Sequence, residues 1–124
     1  MIHSLIKITQ ICCASIEKGG KIIFAGNGGS AADAQHFATE LMIRFEKERK
    51  SIASIALNSD SSLITACAND FGYDEIFKRQ LEGLAKKNDV FIAISTSGKS
   101  QNIVKALEFS KKNKILSVLF TGAN

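Results

Sequence analysis

The stretch Gly26–Glu40, GNGGSAADAQHFATE, limits the folds open to this chain more than any other. A short apolar run, Lys21–Ala25 (KIIFA), precedes it and reads as a buried strand; a helical pattern opens directly after the glycines. Strand, glycine-rich turn and helix make the unit in which backbone N–H groups and a helix N-terminus form an anion pocket. Asn27, Gly28 and Gly29 are residue types that accept positive φ or a close backbone approach. Ser30 can cap the helix or offer its hydroxyl to a ligand. His36, Glu40 and Arg44 follow at i, i+4 and i+8, one face of a helix running from about Gly29 to Phe45. An anion pocket with a base-capable pair two turns later predicts a sugar-phosphate site.

The rest of the chain repeats the alternation. Met1–Lys18 is an N-terminal helix with Leu5, Ile8, Ile11, Cys12, Ser15 and Ile16 as its apolar stripe, stopped by Gly19-Gly20. Ser51–Leu57 (SIASIAL) reads as a second strand. A turn follows in which Ser59 or Asp60 caps a short helix across Leu63–Ala68, then a polar loop at Asn69–Tyr73 and an amphipathic helix at Asp74–Lys86. Asp89–Ile94 (DVFIAI) is the clearest strand, and it runs into Ser95–Ser100 (STSGKS) and a helix from about Ser100 to Lys112. Lys114–Phe120 (KILSVLF) is a fourth strand and Thr121–Asn124 the start of another turn. Strands alternating with helices predict an α/β fold, a doubly wound parallel sheet covered on both faces. With no proline and no low-complexity linker, residues 1–124 read as one domain. A buried parallel strand needs a crossover helix to cover it, and none follows the fourth strand, so the chain reads as lacking a C-terminal part.

Composition narrows the function classes. No apolar run reaches the length of a membrane span and no signal peptide opens the chain, which predicts a cytoplasmic protein without a membrane partner. The three cysteines, Cys12, Cys13 and Cys67, are odd in number and lack C-x-x-C spacing, so they read as buried small hydrophobes. The net charge of +4 comes with basic clusters at Arg44–Lys50 and Lys111–Lys114, each at the end of a predicted helix, where cations complement the helix dipole. No nucleic-acid-binding motif accompanies them.

The second loop places Ser95, Thr96, Ser97 and Ser100 around Gly98 at a strand-to-helix turn. Hydroxyls and free helix N–H groups together can coordinate phosphate oxygens, although the Walker A pattern is absent. The same loop also reads as a polar turn with Ser100 as an N-cap; its position after a buried strand, like that of Gly26–Ser30, favours a ligand. For His36 and Glu40 the spacing leaves three readings open. They form a helix-surface pair, or Glu40 is a general base positioned by His36, or both are metal ligands in a zinc site that needs three or four.

Three segments, GNGGSAADAQHFATEL, ALNSDSSLITACANDFG and ISTSGKSQNIVKAL, in this order and spacing, resemble the phosphoheptose isomerases of the sugar isomerase (SIS) domain superfamily. The resemblance runs from about Gly19 to Asn124. It implies an SIS-type, Rossmann-like sheet and interconversion of sedoheptulose 7-phosphate and D-glycero-D-manno-heptose 7-phosphate for bacterial surface heptose, through a cis-enediol(ate). By resemblance, Asn27, Gly28, Gly29 and Ser30 form the first substrate loop. Asn69 and Asp70 contact substrate hydroxyls, and Ser95, Thr96, Ser97 and Ser100 hold the phosphate. His36 and Glu40 stand at metal-ligand positions for zinc, with Glu40 also the general base; Arg44, from its place on the same helix face, is expected in electrostatic support. It further implies a homotetramer with sites at subunit contacts, and a C-terminal helix carrying a glutamine and a histidine that this sequence lacks. The alternatives are a non-catalytic SIS-domain protein that binds a sugar phosphate or regulates a partner, as replication-initiator-binding relatives do, or an inactive fragment with an exposed apolar face. Glu40 favours the enzyme, because a binding module has no chemical need of a carboxylate there.

Overall fold

The two central strands are apolar at nearly every position, which only a sheet covered on both faces makes favourable. In the computed structural model, which describes residues 2–122, these are β1 (Ile22–Gly26) and β3 (Val90–Ile94), paired in parallel through five residues from Ile22↔Val90 to Gly26↔Ile94. β2 (Ser54–Ala56) lies beside β1, and β4 (Leu116–Phe120) beside β3, also in parallel. The order is β2-β1-β3-β4. Side chains alternate between faces, as the pleat requires. Ile23, Ala25, Phe91 and Ala93 enter one core; Ile22, Phe24, Val90 and Ile92 enter the other.

The first core is closed by α3 (Ser61–Phe71), α4 (Ile76–Leu84) and α5 (Gln101–Lys112), which contribute Cys67, Ile76, Phe77, Leu81, Ile103 and Ala106. The second is closed by α2 (Gly29–Met42), whose Ala34 and Ala38 are small enough to bring the helix against the sheet. α1 (Ile2–Glu17) touches this core only through Ile11, Cys12 and Ile16. An apolar cleft of about 800 Å³ therefore remains, lined by Leu5, Ile8, Phe24, Phe37, Ile94 and Phe120 among others. β4 is the exposed edge, with Leu116 58% accessible. The expected doubly wound sheet is present, and among the described residues no helix is long and apolar enough to cross a membrane.

Four local expectations change. α2 stops at Met42 rather than near Phe45, so the basic run at 44–50 is irregular chain, not a helix end. β2 is confined to Ser54–Ala56. Asn69 and Asp70 are helical, because α3 continues to Phe71 before Gly72, at φ 98, ends it; at its start Asp60 Oδ1 accepts from the Leu63 N–H at 3.0 Å, as expected. Cys67 is buried, but Cys12 is half-buried and Cys13 exposed, since α1 packs by one narrow side. Met1 and the end of the expected 121–124 turn, Ala123 and Asn124, lie outside the described residues.

The N-terminal ends of β1 and β3 are locked by Asp89, whose side chain is 3% accessible. Its carboxylate accepts from the Lys21 N–H (2.9 Å), the Lys86 N–H (2.8 Å) and the Lys21 ammonium. Burial alone pushes this carboxyl up, but the Lys21 ammonium and the two N–H donors outweigh it and hold the pKa below the usual value. A depressed carboxylate contributes stability that is present above its unfolded pKa and lost as pH falls through the folded one. Asp89→Asn is expected to lower stability at neutral pH by about 3 kcal/mol, measured by urea unfolding. The gap to the native chain should close as pH falls below about 4. A gap constant with pH would contradict the lock.

Candidate functional site

The connections leaving β1 and β3 diverge: β1 runs through α2 to β2 on one side, and β3 through α5 to β4 on the other. Their C-terminal ends flank the switch point of the sheet, where ligands of open α/β folds bind. Loops 27–28 and 95–100 border this crevice.

In the first loop the chain turns back immediately. A Cβ on Gly26 would lie 2.4 Å from the Ser30 carbonyl oxygen, so only glycine lets the first turn of α2 fold onto the strand end. Gly28 takes φ 55 at the N-cap position, and no side chain caps the helix. Ser30 therefore lies within the first turn and is not a cap; its N–H donates to the Asn27 carbonyl (3.0 Å) and the Ala31 N–H to the Gly28 carbonyl (3.1 Å), so the turn closes on backbone. In the second loop the four hydroxyls divide. Ser95 is buried and its Oγ accepts from the Gly98 N–H (3.1 Å), while Ser97 Oγ accepts from the Lys99 N–H (3.1 Å). Ser100 occupies the N-cap of α5 without making a side-chain cap, so the capping role expected of it is not used. Thr96 and Ser97 are exposed and Ser100 half-exposed.

The two loops are tied to each other. Asn27 Nδ2 donates to Asn102 Oδ1, and Asn102 Nδ2 donates back to Asn27 Oδ1, each at 2.9 Å. The Tyr73 hydroxyl donates to the same Asn27 Oδ1, also at 2.9 Å. Asn102 and Tyr73 escape sequence reasoning, because an asparagine in a helical pattern and a tyrosine in a polar loop carry no periodic signal.

His36 Nε2 and Glu40 Oε1 stand 3.4 Å apart on α2, with side chains 71% and 31% accessible. Glu40 borders the apolar cleft beside Phe37, whose ring stacks on Phe24 at 5.9 Å between centroids. Arg44 does not join them, because the helix has ended. Arg49 takes the position near Glu40: its guanidinium donates to the Glu40 (2.6 Å) and Leu41 (2.9 Å) carbonyls, satisfying the free acceptors of the helix end. Glu40 is eleven residues beyond Gly29, about 16 Å along the axis. Asn69 and Asp70 bond to each other (3.0 Å) on the exposed last turn of α3, and Asp70 borders a groove with Phe71 and Arg79 rather than the crevice. Among the described residues no group of three His, Cys, Asp or Glu gathers into a metal site, so His36 and Glu40 offer two of the donors zinc needs and do not complete its shell.

Residues 2–122 match the model of the SIS domain, and the chain belongs to this family. Within it, the chain is 51% identical over 116 residues to the phosphoheptose isomerase of Paramagnetospirillum magneticum, covering 94% of this chain and 60% of that protein. It is 53% identical over 123 residues to phosphoheptose isomerase 2 of Campylobacter jejuni, covering 94% and 61%. The solved structure of the phosphoheptose isomerase from Neisseria gonorrhoeae superposes with a TM-score of 0.89 at 36% identity, over 96% of this chain and 61% of that one. The chain thus spans about 60% of the length of the curated relatives it matches.

Replacing Ser97 and Ser100 together by alanine is expected to weaken phosphate-ester binding about tenfold, measured by calorimetry. Unchanged affinity would remove the 95–100 loop from the site.

Proposed function

We propose that this chain binds a seven-carbon sugar 7-phosphate and belongs to a phosphoheptose isomerase, interconverting sedoheptulose 7-phosphate and D-glycero-D-manno-heptose 7-phosphate in the cytoplasm for surface heptose. The observation that carries this reading is the pair of loops held side by side at the switch point, in a chain half identical to proteins of that name. Thr96, Ser97 and Ser100, with the N-terminus of α5, grip the phosphate. Gly28 and Gly29 present backbone to the sugar. Anchoring the far end of a long flexible substrate restricts where its reacting carbons can lie.

Glu40 removes a proton from C1 of the ketose. The C–H electron pair forms the C1=C2 bond and the carbonyl pair moves to O2, which gives the enediolate. Returning the proton to C2 while the O1 proton passes to O2 yields the aldose, so substrate and product are isomers and no oxidant is consumed. His36 orients the carboxylate. In a homo-oligomer, a tetramer by resemblance, Glu40 serves a sugar held by the loops of a neighbouring copy. A second reading is binding without turnover, as by a non-catalytic SIS-domain protein.

Exchange of the C1 hydrogen of sedoheptulose 7-phosphate in D2O, followed by NMR, separates these readings, because it reports proton abstraction even where isomerisation stalls. Exchange is expected from the native chain. In Glu40→Gln it should fall by at least about a hundredfold, with sugar-phosphate affinity retained. Equal exchange by the variant would overturn the base assignment, and binding without exchange by the native chain would establish the second reading.

A further inference from the structure

Asn102 is 2% accessible although it stands at the second position of a helix whose start faces the crevice. Burying a carboxamide is unfavourable unless its polar atoms are paired. Here the pairing is reciprocal, and its orientation is fixed from the backbone. The Ile103 N–H can only donate, and it meets Asn102 Oδ1 at 2.9 Å. With that oxygen placed, Asn102 Nδ2 faces Asn27, and the amide of Asn27 is set in turn. The Asn27 oxygen already accepts twice, from Asn102 and from Tyr73. Tyr73 is itself braced, because the turn Tyr73–Glu75 is tied to α5 through Glu75 and Lys105 at 2.7 Å. The side chain of Asn27 is thus held by Asn102 and Tyr73.

We infer that the Asn27–Asn102 carboxamide pair, closed by Tyr73, is a positioning clamp that sets the spacing between the two ligand loops, and so the length of ligand the crevice accepts. Asn27 is the residue after β1, and Asn102 lies two residues beyond the second loop. No other side-chain bond in the described residues joins these two segments directly. The carboxamides act through the loops, not on the ligand. The inference rests on the sugar-phosphate reading of the crevice. It adds that the distance between the phosphate grip and the sugar grip is held by these two residues.

The test compares two probes on one chain. Inorganic phosphate needs only the 95–100 loop, whereas sedoheptulose 7-phosphate needs both loops at the right separation. In Asn102→Leu the affinity for sedoheptulose 7-phosphate is expected to fall about tenfold, while that for inorganic phosphate stays within about twofold. Asn27→Ala removes both bonds to Asn102, and the Tyr73 bond with them, from the less buried side and should give the same split if the leucine variant fails to fold. Equal losses for both probes, or no loss for either, in a folded variant would overturn the clamp. A native chain that binds neither probe would instead overturn the sugar-phosphate reading, and the clamp with it.

Discussion

The parallel pairing of β1 with β3 is the constraint on which everything else depends. Five registered residue pairs bring Gly26 and Ile94 to the same level. The two loops that follow must then emerge side by side. Because side chains of both strands are apolar on both faces, the pairing is stable only when helices cover each face, and one helix on each face, α2 and α5, starts at those loops. The placement of the N-termini of α2 and α5 at the crevice is thus a consequence of the way the sheet is buried.

The two ends of the central strands are built from different chemistry. At the N-terminal end Asp89 holds Lys21 and the Lys86 N–H in a nearly closed ionic lock, which fixes the strands without exposing reactive groups. At the C-terminal end the bonds are neutral, between Asn27, Asn102 and Tyr73, and exposed hydroxyls stand beside them. Neutral carboxamides keep two loops in register without placing a competing carboxylate near a site that would take an anion.

The sheet and both loops were legible in the sequence because their signals are local. A run such as VFIAI between polar residues has few alternatives, and a glycine cluster directly after a strand marks a sharp reversal. What was illegible depended on distant partners. α2 ends at Met42 because Arg49, folded back from irregular chain, satisfies its carbonyls; helical spacing alone carried the pattern on to Arg44. Asn69 and Asp70 read as a loop from composition, yet the Asp60 cap and the burial of Cys67 sustain α3 through them. Asn27 was legible as part of the first loop, but its bond to Asn102 was not, since that partner lies 75 residues away. The His36–Glu40 pair was visible from its i, i+4 spacing.

The most direct test of the account is the crystal structure of the chain with sedoheptulose 7-phosphate bound. The account places the phosphate within about 3 Å of the Ser97 and Ser100 hydroxyls, at the start of α5, with the sugar running toward Gly28 and Gly29. A phosphate bound elsewhere, for instance against Lys78 and Lys105 with the crevice empty, would contradict it.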